Sequence, residues 1–222
     1  MERDLDNASA AAGVRNAAVI VAHPDDETLW AGGTILMHPA WRWTVGTCCR
    51  ASDPDRSVKF FAAMDHLGAA GALADLDDGP EQTPLDAKAV GETILSLLPD
   101  GPIDLLITHS PLGEYTRHRR HEEVGGAVLR LWRQGRLPAR RIWLFAYDDQ
   151  AGRRTPQADE NAHRLVTLPE EVWRAKYRLI TEIYGFGADG FEARTAPRRE
   201  GFWCFASPAS AEAWMRGQVI PT

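Results

Sequence analysis

Ala17-Ala18-Val19-Ile20-Val21-Ala22-His23-Pro24-Asp25-Asp26-Glu27 is the stretch on which the fold turns. Its first six residues are apolar without interruption. Such a run suits a strand covered on both faces, as in a parallel sheet, where no polar positions need to alternate. The run stops at His23-Pro24. A helix is predicted from Thr28 to about Met37, with acidic residues in its first turn.

The same grammar recurs downstream. Strands are predicted over residues 43–49, 103–108 and 142–147, and a short late one over 202–205. Helices are predicted over 56–67, 85–98, 118–132 and 169–184, while 150–162 and 185–200 read as loops. Alternating strands and helices predict an α/β fold, a three-layer αβα sandwich with helices on both faces of a mostly parallel sheet.

The chain has 222 residues, 44% of them hydrophobic, enough for one sizeable domain. That domain is expected over 16–222, after a flexible tail at 1–15. A net charge of −6 leaves no basic surplus for a nucleic-acid backbone or an anionic membrane surface. Three cysteines, two of them adjacent at Cys48 and Cys49, do not make a disulfide framework. The N-terminus lacks the apolar core of a secretory signal, and no apolar run reaches the roughly 18 residues of a membrane helix. The expected setting is cytoplasmic.

In open parallel sheets, ligands bind beyond the carboxyl ends of the strands. His23 and Asp26 stand there, three residues apart across a turn stiffened by Pro24, and both can converge on one ion. Asp25 lies between them and is free to take a proton from a water at that ion. The plain alternative is a helix N-terminus with Asp26 as its cap. A second group follows the strand at 103–108. His118 and His121, spaced i, i+3, share one helix face at the same sheet edge. One of them completes a His-Asp-His set, and the other can donate a hydrogen bond to an oxyanion. Arg117, Arg119 and Arg120 around them otherwise suit a solvated helix start. Candidates for substrate hydroxyls are Arg56, at the start of the helix after the second strand, and Asp78, in a later loop at the same edge.

Ala22-His23-Pro24-Asp25-Asp26-Glu27, followed by Ala31-Gly32-Gly33-Thr34, resembles the signature of the LmbE/PIG-L family of zinc-dependent N-acetylglucosaminyl deacetylases. Gly113-Glu114-Tyr115 with His118 and His121 resembles that family's second motif. The resemblance spans about residues 17–130, and more faintly reaches Phe205. It implies a Rossmann-like fold, with zinc or another divalent transition metal on His23, Asp26 and His121. It implies Asp25 as general base and His118 as the group that polarises the amide carbonyl or assists the departing amine. The implied substrate is a small-molecule N-acetyl amino-sugar conjugate. Members of the family often assemble, so a homo-oligomer is among the expectations.

The chain departs from the family pattern at two points. Thr116 and Arg117 put one extra residue before His118, and Arg119 stands in place of a proline. Lys59 stands where an acid often follows the arginine of the second strand's helix. Rival readings are an amidase acting on a larger N-acyl or thiol conjugate, a non-catalytic sugar-binding protein, and a non-haem iron oxygenase, whose usual host is an all-β barrel. A nucleotide-binding domain is disfavoured because Gly32-Gly33 is not a Gly-x-Gly-x-x-Gly loop.

Overall fold

The computed structural model describes residues 15–115 and 118–218. The expected N-terminal tail, apart from Arg15, and Thr116 and Arg117, where the chain is one residue longer than the family pattern, lie outside them. The chain runs β1 (Asn16–Val21), α1 (Asp26–Met37), β2 (Arg42–Thr47), α2 (Pro54–Leu67), β3 (Ala69–Leu73), α3 (Ala87–Leu97), β4 (Leu105–Thr108), α4 (Arg119–Arg133) and β5 (Ile142–Phe145). There follow β6 (Tyr147–Asp148), β7 (Gln157–Ala158), β8 (Arg164–Thr167), α5 (Glu170–Arg178), a π-helical turn (Leu179–Ile183), α6 (Phe191–Thr195), β9 (Arg199–Phe205) and α7 (Pro208–Gly217).

Seven strands form one sheet in the order β3-β2-β1-β4-β5-β9-β8, and β6 pairs with β7 apart from it. The first five strands of that order are mutually parallel. The two last joins, β5 to β9 and β9 to β8, are antiparallel. The expected three-layer α/β sandwich is therefore the fold observed.

β1 shows why its sequence carries no polar alternation. Ala17, Val19 and Val21 pack on one face with Trp30 and Ile35 of α1 and Phe60 of α2. Ala18, Ile20 and Ala22 pack on the other with Ile94 of α3 and Val124 and Val128 of α4. Both sets are buried, so every position from Ala17 to Ala22 must be apolar.

Several expectations are corrected. β3 and β8, and the final helix α7, were not predicted. The loop expected over 185–200 contains α6, and that over 150–162 contains β7. The helix expected over 169–184 changes to π-helical geometry at Leu179. The late strand is longer than expected and antiparallel, beginning at Arg199. Short, half-exposed strands such as β8 carry no buried apolar run to read. No helix among the described residues is long and apolar enough to cross a membrane.

Candidate metal centre and active site

The strand order reverses between β1 and β4, which pair with each other while their chain neighbours lie on opposite sides. That crevice is where open α/β sheets place ligands. The loop after β1 supplies His23, Asp25 and Asp26. The loop after β4 leads into α4, which supplies His121. α4 can approach this edge because Gly125 has no side chain: a Cβ there would lie 2.4 Å from the His109 carbonyl oxygen.

The three expected ligand atoms form a near-equilateral triangle. His23 Nδ1 lies 3.2 Å from Asp26 Oδ2, His121 Nε2 lies 3.3 Å from His23 Nδ1, and His121 Nε2 lies 3.4 Å from Asp26 Oδ2. A tetrahedral zinc about 2.0–2.1 Å from each donor would hold them about 3.3–3.4 Å apart. Two imidazole nitrogens and one carboxylate oxygen are also suitable donors for that ion. The residues present fit the metal.

The outer nitrogens of both imidazoles meet carboxylates. His23 Nε2 is 3.3 Å from Asp78 Oδ1, and His121 Nδ1 is 3.0 Å from Glu114 Oε2. With those N–H groups committed outward, the inner nitrogens present lone pairs to the triangle. In the protein alone, burial pulls the His23 imidazole down, but hydrogen bonds to Asp26 and Asp78 outweigh it and raise it to about 9. Burial likewise opposes the Asp26 charge, yet His121 and His109 hold that carboxyl well below the usual range. The cluster is built to receive positive charge.

Asp26, His109 and His121 form a second close group, all buried. His109 Nε2, however, accepts the Ala22 backbone N–H at 3.0 Å, and its Nδ1 lies 3.1 Å from Glu114 Oε1. This pairing fixes the proton on Nδ1 and occupies the Nε2 lone pair. His109 packs beside the Asp26 carboxylate, its Nε2 3.4 Å from Asp26 Oδ2.

Asp25 has φ 121° and ψ −31°, a region that non-glycine residues rarely occupy. Its N–H donates to Glu27 Oε2 at 3.0 Å, and Glu27 Oε1 in turn accepts the Tyr184 hydroxyl at 2.6 Å. The Asp25 carboxylate points at Arg56, Nη1 to Oδ2 3.1 Å. Burial and the neighbouring Asp26 push Asp25 well above the usual carboxylate range, and Arg56 works against them. His118 stacks on His121 with ring centroids 4.4 Å apart, and its Nδ1 is buried with no hydrogen-bond partner among the described residues. Burial, then the neighbouring His121 and His23, lower it to about 4, so its ring is neutral at neutral pH.

His23, Asp25, Asp26, Arg56, Asp78, His118 and His121 all line one cavity of about 400 Å³. Leu29, Tyr115 and Phe191 add an apolar flank to it. Every site residue read from the sequence is thus brought together. Asp78, read as a contact for substrate hydroxyls, has its carboxylate on His23, Arg50 and Gln82. Sequence reasoning gave no role to His109, Arg50 or Tyr184, and quoted Glu114 only as part of a motif. His109 was within reach, since it directly follows a predicted buried strand at the same edge as His23.

No family model matches the sequence, and no curated protein matches it. Solved structures do. N,N'-diacetylchitobiose deacetylase from Pyrococcus horikoshii superposes with a TM-score of 0.68 at 14% identity, covering 92% of this chain and 89% of that one. The zinc-inhibited form of teicoplanin deacetylase Orf2 gives 0.61 at 14% identity, covering 81% and 88%. GalB, the 4-carboxy-2-hydroxymuconate hydratase of Pseudomonas putida KT2440, gives 0.56 at 16% identity, covering 86% and 96%. At these identities the likeness establishes the fold, which is the one that the LmbE/PIG-L resemblance implied.

Proposed function

We propose that this chain is a zinc-dependent hydrolase that removes the N-acetyl group from an N-acetylglucosamine-type amino-sugar conjugate, releasing acetate and a free amine. The observation that carries the reading is the triangle of His23 Nδ1, Asp26 Oδ2 and His121 Nε2, with sides of 3.2, 3.3 and 3.4 Å, opening on a cavity that also holds the Asp25 carboxylate, which is not part of the triangle. Two of the structures that share the fold are named as deacetylases, one of diacetylchitobiose.

His23, Asp26 and His121 would hold the metal. When bound, zinc supplies Lewis acidity, lowering the pKa of a water toward neutrality and polarising the amide carbonyl. The chain's own groups do the rest. Asp25, whose carboxyl is raised above its ordinary range, accepts a proton as the water oxygen attacks the acetyl carbon. Arg56 holds that carboxylate in place at 3.1 Å. His118, neutral at working pH, donates a ring N–H toward the oxygen that gains charge. Asp25 then returns the proton to the departing nitrogen, and the C–N bond breaks to give acetate and amine. Asp78 is assigned to orienting His23, and Arg50 and Arg56 to the mouth that meets the sugar.

The test is acetate release from a panel of N-acetylglucosaminyl conjugates by the zinc-loaded, chelator-stripped and zinc-restored protein. Stoichiometric acetate and amine that vanish on stripping and return with zinc are expected. Zinc-loaded protein that releases no acetate from any member of the panel would contradict the proposal.

A further inference from the structure

Arg120 stands between His118, which caps α4, and His121 within it, in a run of arginines that suits a solvated helix start. It is instead 1% exposed. All three of its guanidinium nitrogens are engaged. Nε donates to the Asp77 carbonyl at 2.6 Å, and Nη2 donates to the Thr83 carbonyl at 2.8 Å and reaches Asp77 Oδ2 at 3.3 Å. Nη1 donates to Glu123 Oε2 at 2.6 Å, and Glu123 Oε1 accepts the Leu85 backbone N–H at 3.1 Å. The first turn of α4 thus grips the loop between β3 and α3 on both sides of Asp78.

That loop matters to the centre through one contact. Asp78 Oδ1 lies 3.3 Å from His23 Nε2, and no other carboxylate meets that nitrogen among the described residues. Gln82, from the same loop, also holds Asp78 Oδ1, at 2.9 Å. The Asp77 and Thr83 carbonyls are fixed acceptors spaced for a planar fork, which an ammonium group cannot match.

We propose that Arg120 is a positioning residue of the metal centre. It acts through residues 77–85 to hold Asp78 against His23, so that one helical turn both supplies the ligand His121 and orients the ligand His23. The inference rests on the reading of His23 as a ligand. A partner behind a ligating histidine fixes its tautomer and raises its basicity, and its loss costs roughly 10–100-fold in metal affinity.

The experiment is a double-mutant cycle on zinc affinity, measured by chelator competition with Arg120→Lys, Asp78→Asn and the pair. Each single variant is expected to bind zinc roughly 10–100-fold more weakly. The pair is expected to be no weaker than the weaker single, because both act through one contact. Amide exchange should quicken at 77–85 in Arg120→Lys while the centre of α4 stays protected. Wild-type zinc affinity in Arg120→Lys, or effects that multiply in the pair, would overturn the inference. If Arg120→Lys does not fold, Glu123→Gln, which loosens the same grip, takes its place in the cycle with the same two readings. Full zinc affinity in His23→Ala would instead sink the underlying metal-site reading.

Discussion

Glu114 joins His121 to His109 through its two oxygens: Oε2 lies 3.0 Å from His121 Nδ1, and Oε1 lies 3.1 Å from His109 Nδ1. Oε1 also accepts the Ser110 N–H at 2.7 Å. Burial opposes the Glu114 charge, but His109 and His121 hold its carboxyl down to about 2. One buried carboxylate therefore sets the tautomers of both imidazoles.

An amide at this position has only one acceptor oxygen and must present N–H groups to one of the rings. Glu114→Gln is expected to weaken zinc binding roughly 10–100-fold, read by chelator competition. Unchanged affinity would remove Glu114 from the metal centre.

Asp25→Asn keeps the backbone bond to Glu27 and leaves the ligand triangle intact. An amide cannot accept the proton. The variant is expected to hold zinc one to one, by elemental analysis, while kcat falls roughly 10²–10⁴-fold. Near-normal turnover would end the general-base assignment.

The Arg56 cation pulls against the burial and the neighbouring Asp26 that raise Asp25. A base works only when deprotonated, so turnover is lost as pH falls through the Asp25 pKa. Removing the cation raises that pKa further. Arg56→Gln is therefore expected to move the acid limb of kcat/KM to higher pH. A limb that stays put, or moves down, would contradict the pairing.

Away from the chemistry, Lys176 and Glu200 form a fully buried ion pair at 2.7 Å. Glu200 also accepts from Gly33 N, Thr34 N and Thr34 Oγ1, and so ties β9 to the helix whose first turn carries Asp26. Lys176 has Glu200 as its sole hydrogen-bond partner among the described residues. Glu200→Leu strands the ammonium and three further donors, and is expected to cost about 3–5 kcal/mol in urea unfolding. Lys176→Met leaves the carboxylate three donors and is expected to cost less. The reverse order would show that the pair is not what anchors this helix.

The sheet centre and the proposed metal ligands were legible because both are written locally. β1 is a continuous apolar run, and His23 and Asp26 sit at its end with spacing that a single turn imposes. His121 follows from the helical period and a second sheet-edge loop. The partners behind the ligands were not legible, because they arise from packing between distant segments. Asp78 meets His23 only because β3, too short and half-exposed to be read, delivers its loop to that edge. Arg120 looked solvated because its buried acceptors are mostly backbone carbonyls, which no side-chain pattern announces. Tyr184 reaches Glu27 across 157 residues from the end of a π turn.

The central claim is that His23, Asp26 and His121 share one cation. A crystal structure of the zinc-soaked protein, with anomalous scattering collected at the zinc edge, tests it most directly. The account predicts one strong peak about 2.0–2.2 Å from His23 Nδ1, Asp26 Oδ2 and His121 Nε2. A peak that instead takes His109 Nε2 as a ligand and leaves His23 outside the ion's reach would contradict it.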